Sequence, residues 1–182
     1  MISVYCMTGK YFGGKLLGII GIFLTSDYYL KKGTELSNMV RIATQNDSRI
    51  LAEMAVQMWD NQTAEELEAE FAVAMEETAT VFFIKAENDT AVAFAQCNLR
   101  TDYVEGTESS PVGYLEGIFV KEGYRNRGYA RELLAACEKW AKDMGCREFA
   151  SDCELSNTDS LKFHTAMGFD EVNRIICFKK NI

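Results

Sequence analysis

The chain is short of several things, and each shortage removes a class of function. Its 182 residues include one proline and one histidine, His164, so there is no Pro-rich linker and little material for an imidazole metal centre. The six cysteines, Cys6, Cys97, Cys137, Cys146, Cys153 and Cys177, lie far apart with no C-x-x-C pair. That spacing argues against a zinc site or a disulfide framework, so no metal is expected. Scattered thiols of this kind act as small core hydrophobes in a reducing compartment, which points to the cytoplasm. Long apolar runs are missing too. The stretch LLGIIGIFL at residues 16–24 is nine residues long, against the roughly 20 needed to span a bilayer. The TSDYYLKKG that follows is a poor match to a small-x-small leader cleavage site, so neither a membrane span nor a signal peptide is expected. Basic residues are outnumbered, 19 against 27 acidic ones, for a formal charge of -8. This disfavours nucleic acid as a partner and suits a cationic one, although excess carboxylate also serves solubility alone.

The rest of the composition, 48% hydrophobic and 25% charged, is that of an ordinary globular chain with one main domain. Residues 1–38 read as an N-terminal extension, either an extra strand or hairpin packed on the domain or a translated stretch upstream of Met39. Residues 39–182 carry the regular pattern. VRIAT is a short strand, and Asp47 is placed to cap a helix whose apolar face is Ile50, Leu51, Met54, Ala55, Met58 and Trp59. Thr63 and Glu66 form a T-x-x-E capping box ahead of Leu67, Phe71, Ala74 and Met75. TVFFIKA and AVAFAQCNLR flank an Asn-Asp turn and predict a β-hairpin. A strand at 114–120, a helix at 127–144 ended by Gly145, the strand REFASDC, a helix at about 158–167 ended by Gly168, and a last strand near 172–179 complete the series. The fold class is α/β (α+β), a mixed sheet flanked by helices.

The junction YRNRGYAREL, residues 124–133, joins a strand to a helix through a loop rich in arginine. Backbone N–H groups, the positive helix end and a glycine that permits close approach suit an anion such as a phosphate. A solvated basic turn would carry the same residues. Gly117, inside the preceding strand, suggests a bulge that splays the strand from its neighbour.

With R-x-x-G-x-A at 125–130 and N-x-x-S-x-x-x-H-x-x-x-G-F at 157–169, the chain from residue 39 onward resembles the GNAT superfamily of acetyltransferases. The resemblance implies a centrally splayed sheet with acetyl-CoA as co-substrate in the splay. It implies that Ile118, Phe119 and Val120 hold the pantetheine arm, that Arg125, Asn126, Arg127, Gly128, Tyr129, Ala130 and Arg131 hold the phosphates, and that Asn157 touches the arm. His164 stands where the family usually has the tyrosine that protonates the departing thiolate, and histidine can donate a proton as well.

The run RTDYVEGTESSPVGYLEGIFV followed by GCREFASDC is similar to the short chromosomal-type aminoglycoside 6'-N-acetyltransferases. That resemblance implies an antibiotic site lined by Trp59, Tyr103, Glu116 and Asp152, and a homodimer to which the last strand, RIICFKK, contributes. The chemistry agrees, because a polycationic amine needs carboxylates and flat aromatic faces. Glu116 in an apolar run is expected to be partly buried, and is the candidate base for the acceptor ammonium, with Asp152 orienting the amino sugar. Two rivals remain open on the residues alone: a polyamine or peptide N-acetyltransferase, and a non-catalytic acyl-CoA-binding regulatory module.

Overall fold

The computed structural model describes residues 3–5, 39–59 and 61–182. Six strands form one sheet: β1 (Ser3–Tyr5), β2 (Val40–Ile42), β3 (Thr80–Glu87), β4 (Thr90–Arg100), β5 (Val112–Val120) and β6 (Phe149–Ser151). Among the described residues four α-helices accompany them: α1 (Ser48–Ala55), α2 (Ala64–Ala74), α3 (Tyr129–Asp143) and α4 (Thr158–Met167). The sheet order is β1-β5-β4-β3-β2, with β6 also on β5. Every pairing is antiparallel except β5 with β6.

Local chemistry accounts for the elements. Asn88 and Asp89 both adopt positive φ, 50° and 61°, so the two-residue turn between β3 and β4 has the handedness that matches strand twist. Thr63 accepts from the Glu66 amide at 3.2 Å, and the Glu66 carboxylate accepts from the Thr63 amide at 2.9 Å, which closes the capping box of α2. Gly145 and Gly168 take φ of 91° and 92° where α3 and α4 end. Asp47 departs from expectation. Its side chain makes no cap bond to α1; instead its carboxylate accepts from Arg41 Nη1 and Nη2 at 2.8 and 2.7 Å and from the Thr44 amide at 2.7 Å. The Arg41 bonds dominate in holding its pKa down at about 2.

The sheet is covered on both faces. On one, Phe83, Ala93, Ala95, Cys97, Leu115, Ile118 and Val120 pack under α3 and α4 through Leu133, Leu134, Cys137 and Phe163. On the other, Phe82, Ile84, Phe94 and Phe119 meet Leu51, Met54, Leu67 and Phe71 of α1 and α2. Each fully buried Val, Leu, Ile, Phe or Met among them contributes about 1.5–3 kcal/mol.

The site is positioned by a break in register. Gln96 pairs with Gly117, but the next residue, Cys97, pairs with Leu115, so Glu116 is an extra residue in β5. This bulge lets Leu115 and Ile118, three apart, face the same core while β4 alternates regularly through Ala93, Ala95 and Cys97. The far edge of β5 is divided at the same point. β6 pairs in parallel with residues 113–115 and then ends, and β1 pairs with residues 117–119.

Two expectations are corrected here. REFASDC was to be a strand throughout, yet β6 covers only Phe149–Ser151, because β5 offers it only three partners before the bulge. The last strand, near 172–179, is not formed: residues 169–182 carry no helix or strand, and Val172, Ile175, Ile176 and Phe178 are exposed. A strand satisfies its backbone only through a neighbour, and among the described residues no sheet edge pairs with this one. Apart from residues 3–5, the N-terminal extension lies outside the described residues.

Candidate active site

The bulge gathers polar side chains on the face away from α3. Asn98 and Arg100, at alternate positions of β4, stand beside Glu116 of β5. Arg100 Nη2 donates to Glu116 Oε1 at 2.7 Å and Arg100 Nε to the same oxygen at 3.2 Å, while Asn98 Nδ2 donates to it at 3.1 Å. The Arg100 guanidinium lies on the ring of Tyr114, 3.3 Å from its centroid. The Tyr114 hydroxyl in turn donates to Asp152 Oδ2 at 2.8 Å. Asp152 directly follows β6, and Glu116 sits at the bulge in the middle of the adjacent β5, so the two carboxylates lie on neighbouring strands and are joined through one arginine and one tyrosine.

Glu116 is largely buried, with a side chain 13% exposed. Burial is the strongest influence and pushes its pKa above the ordinary carboxylate value, and the Asp152 charge adds to the rise. Arg100 and Asn98 oppose both. A carboxyl raised in this way is better matched to proton transfer near neutrality than a solvated one.

Trp59 closes the same corner. A Cβ placed on Gly117 would stand 3.2 Å from Trp59 Cζ2 and 3.1 Å from Met58 Cε, so the indole lies directly over the bulge. Its ring also makes an edge contact with Phe71 at 6.1 Å between centroids, which makes it a core residue and a wall of the site together. Tyr103 is elsewhere. It is 79% exposed in the loop after β4, its hydroxyl donating to Glu105 at 2.8 Å, and the fold does not bring it to Glu116.

His164 is buried on α4. Its Nδ1 lies 2.9 Å from the Ser160 carbonyl, which can only accept, so Nδ1 carries the proton and Nε2 is a bare acceptor. Nε2 has no hydrogen-bond partner among the described residues. Burial lowers the ring's pKa, against the Ser160 carbonyl and the charge of Asp152. The resting ring is therefore a neutral acceptor, the reverse of the proton donor expected at this position. Asn157 caps α4, its Oδ1 accepting from the Ser160 amide at 3.0 Å.

The arginine loop runs into the N-terminus of α3. Asn126 and Gly128 both take positive φ, 61° and 88°, and α3 begins without a side-chain cap bond, leaving its first N–H groups to other acceptors. No protein atom described lies within 4 Å of a Cβ on Gly128, and its φ of 88° is one that glycine adopts without strain. Arg127 Nη1 pairs with Glu87 at 3.2 Å and Nη2 donates to the Gly123 carbonyl at 3.0 Å; Tyr129 also donates to Glu87, at 2.8 Å. Arg125 Nε donates to the Val120 carbonyl at 3.0 Å. Ala130 is half-buried against the core and Arg131 is exposed. The backbone of Ile118 and Phe119 does not present the open edge expected of it, because β1 pairs there.

Sequence reasoning missed Asn98, Arg100, Tyr114 and Glu87. For the first two a signal existed: Gln96, Asn98 and Arg100 alternate along a strand whose other positions are apolar, so one stretch of a covered sheet face is polar and needs partners.

Comparison with known proteins places this geometry. The acetyltransferase (GNAT) family pattern matches residues 39–169. An aminoglycoside N(6')-acetyltransferase type 1 from Stenotrophomonas maltophilia is 39% identical over 142 residues, 77% of this chain and 91% of that protein. One of the same description from Salmonella typhimurium is 48% identical over 98 residues, 54% of this chain and 68% of that protein. Among solved structures, the aminoglycoside N-acetyltransferase AAC(6')-Iy in complex with CoA superposes with a TM-score of 0.77 at 34% identity, covering 83% of this chain and 99% of that one. The same enzyme bound to a bisubstrate analogue, CoA-S-monomethyl-acetylneamine, gives 0.76 at 35% identity over 80% of this chain and 99% of that one.

Proposed function

The chain belongs to the GNAT family of acetyltransferases, among the relatives of the aminoglycoside 6'-N-acetyltransferases, and on that premise we propose that it moves an acetyl group from acetyl-CoA to the 6'-amine of an aminoglycoside, the chemistry by which such an antibiotic is inactivated. The observation that carries the reading is the pair Glu116 and Asp152, two carboxylates joined through Arg100 and Tyr114, with the Trp59 indole over the bulge that carries Glu116. Ammonium groups on a rigid sugar scaffold match that arrangement, and a neutral acceptor would not need it.

The residues fit the co-substrate. The uncapped N-terminus of α3, with Gly128 at its mouth and Arg125 and Arg127 beside it, suits a pyrophosphate. Acetyl-CoA supplies the activated thioester, and its arm exchanges with β1 for the edge of β5. Glu116 takes the proton that the acceptor ammonium must lose. The freed amine then attacks the thioester carbonyl: a C–N bond forms, the C–S bond breaks, and the thiolate leaves and is protonated. Asp152 holds the amino sugar by charge, and Trp59 keeps bulk water from the reacting corner. His164, a neutral acceptor at rest, serves the departing thiolate only after it has itself taken up a proton.

Among the described residues no helix is long and apolar enough to cross a membrane. We place the enzyme in the cytoplasm, where acetyl-CoA is made and free thiols such as Cys97, Cys137 and Cys146 persist. A homodimer is part of the proposal. The exposed apolar residues of 172–178 need cover, and β6 pairs with β5 alone among the described strands.

The test is release of CoA thiol from acetyl-CoA on addition of kanamycin, a 6'-hydroxyl analogue, spermidine or a peptide. Turnover with kanamycin and none at the hydroxyl is expected. Preference for spermidine or the peptide would assign another acceptor, and no turnover with any amine would leave only a binding module.

A further inference from the structure

The donors around Glu116 are unevenly placed. Arg100 Nη2, Arg100 Nε and Asn98 Nδ2 all bond to Oε1, at 2.7, 3.2 and 3.1 Å, and among the described residues no donor bonds to Oε2. One oxygen of the carboxylate is saturated by protein and the other is left to whatever enters the site. Arg100 is itself held in place by stacking on Tyr114, whose hydroxyl is committed to Asp152.

We propose that Arg100 is a positioning residue of the reaction: it anchors Glu116 through Oε1, keeps the carboxylate ionised beside Asp152, and so presents Oε2 as the atom that receives the proton of the acceptor amine. Deepening the reading above, it rests on Glu116 being the base. The charge balance supports it. Arg100 brings a positive charge to Glu116 beside Asp152; without it two adjacent carboxylates would compete for a proton, and the buried one would take it. Among the described residues the groups that face Glu116 are Arg100 and Asn98 from β4, Tyr114 from its own strand, and Asp152 after β6, with His164 of α4 and Asp152 acting on each other, while the buried Cys97 thiol of β4 lies on the opposite face of the sheet. Of these, Arg100 alone brings a permanent positive charge. A guanidinium suits the task better than an ammonium, because its planar fork delivers two N–H groups to one oxygen while its face stacks on a ring.

The experiment compares wild type, Arg100→Gln and Arg100→Lys across pH. In Arg100→Gln, the acidic limb of kcat/KM should move to higher pH, activity near neutrality should fall by about 10- to 100-fold, and much of it should return in alkali. Arg100→Lys keeps the charge and should restore the position of the limb, with a lower plateau from the lost fork. In parallel, 13C NMR of carboxyl-labelled glutamates, with the Glu116 signal assigned by its loss in Glu116→Gln, follows the titration in the free enzyme without any acceptor. An upward displacement of that titration in Arg100→Gln supports the proposal even if the acceptor proves not to be an aminoglycoside. An unmoved Glu116 titration, or a uniform loss of activity at all pH values, overturns it.

Discussion

Replacing Gly117 with alanine sets two opposing effects of known size against each other. Gly117 is not among the positive-φ glycines, so alanine can adopt its backbone. On chain entropy alone the change should stabilise the protein by about 0.4–1 kcal/mol, because the unfolded alanine chain has less freedom to lose. Packing opposes this. The new Cβ would lie 3.1 Å from Met58 Cε and 3.2 and 3.4 Å from Trp59 Cζ2 and Cη2, all inside the ordinary carbon contact distance. The methionine end can swing aside, but the indole is backed by Phe71. Overpacking of this kind costs about 1–3 kcal/mol, so the net expectation is a loss of about 0.5–2 kcal/mol. For a domain of this size that lowers Tm by a few degrees, at about 2–4 °C per kcal/mol. Thermal unfolding followed by circular dichroism measures it, and steady-state kinetics should show a higher KM for the amine as the Trp59 wall is displaced. A Tm equal to or above wild type would mean that the indole does not rest on Gly117, and the account of the site's shape would fail with it.

Glu116→Gln should lower kcat/KM most near neutral pH and recover in alkali, where the amine is already deprotonated; a flat response would assign the proton to water or another carboxylate. Because Glu116's folded pKa is raised, its stabilising contribution is present below the unfolded value and is lost as pH rises through the folded one, so the variant should lose less stability over that window in urea titrations. Asp152→Asn should weaken amine binding by about 1.5–3 kcal/mol in calorimetry, and unchanged affinity for every aminoglycoside would remove Asp152 from the site. His164 has its pKa lowered from the ordinary 6.5, so its stability is intact above that value and is lost as pH falls through the folded one. His164→Gln should flatten this acid loss in the same titrations, whereas an unchanged slope would show that the ring is not held neutral.

The parts of the fold set by short-range chemistry were readable from the residues. Asn88 and Asp89 announced the hairpin, Thr63 and Glu66 the start of α2, and Gly117 inside a strand announced the bulge. Interactions that depend on register between distant strands were hidden. Whether Arg100 meets Glu116 depends on how β4 slides on β5, and the bulge that decides it also changes which residues face each other. Asp47 was misjudged because a carboxylate at a helix start has competing donors, and Arg41, six residues earlier, prevailed. The apolar run RIICFKK near the end of the chain argued for a strand, but composition cannot say whose edge such a segment would join.

The shared edge of β5 bears on how binding of acetyl-CoA would be measured. Residues 117–119 cannot bond both to Ser3–Tyr5 and to a second extended ligand, so β1 and that ligand are alternatives. The ligand then sees only the molecules whose edge is vacant, and its apparent dissociation constant is the intrinsic one divided by that fraction. A segment docked nine-tenths of the time weakens the apparent affinity about tenfold without altering a single contact in the ligand's own site. Changes that alter that fraction without touching the ligand's own contacts would register as changes in co-substrate affinity.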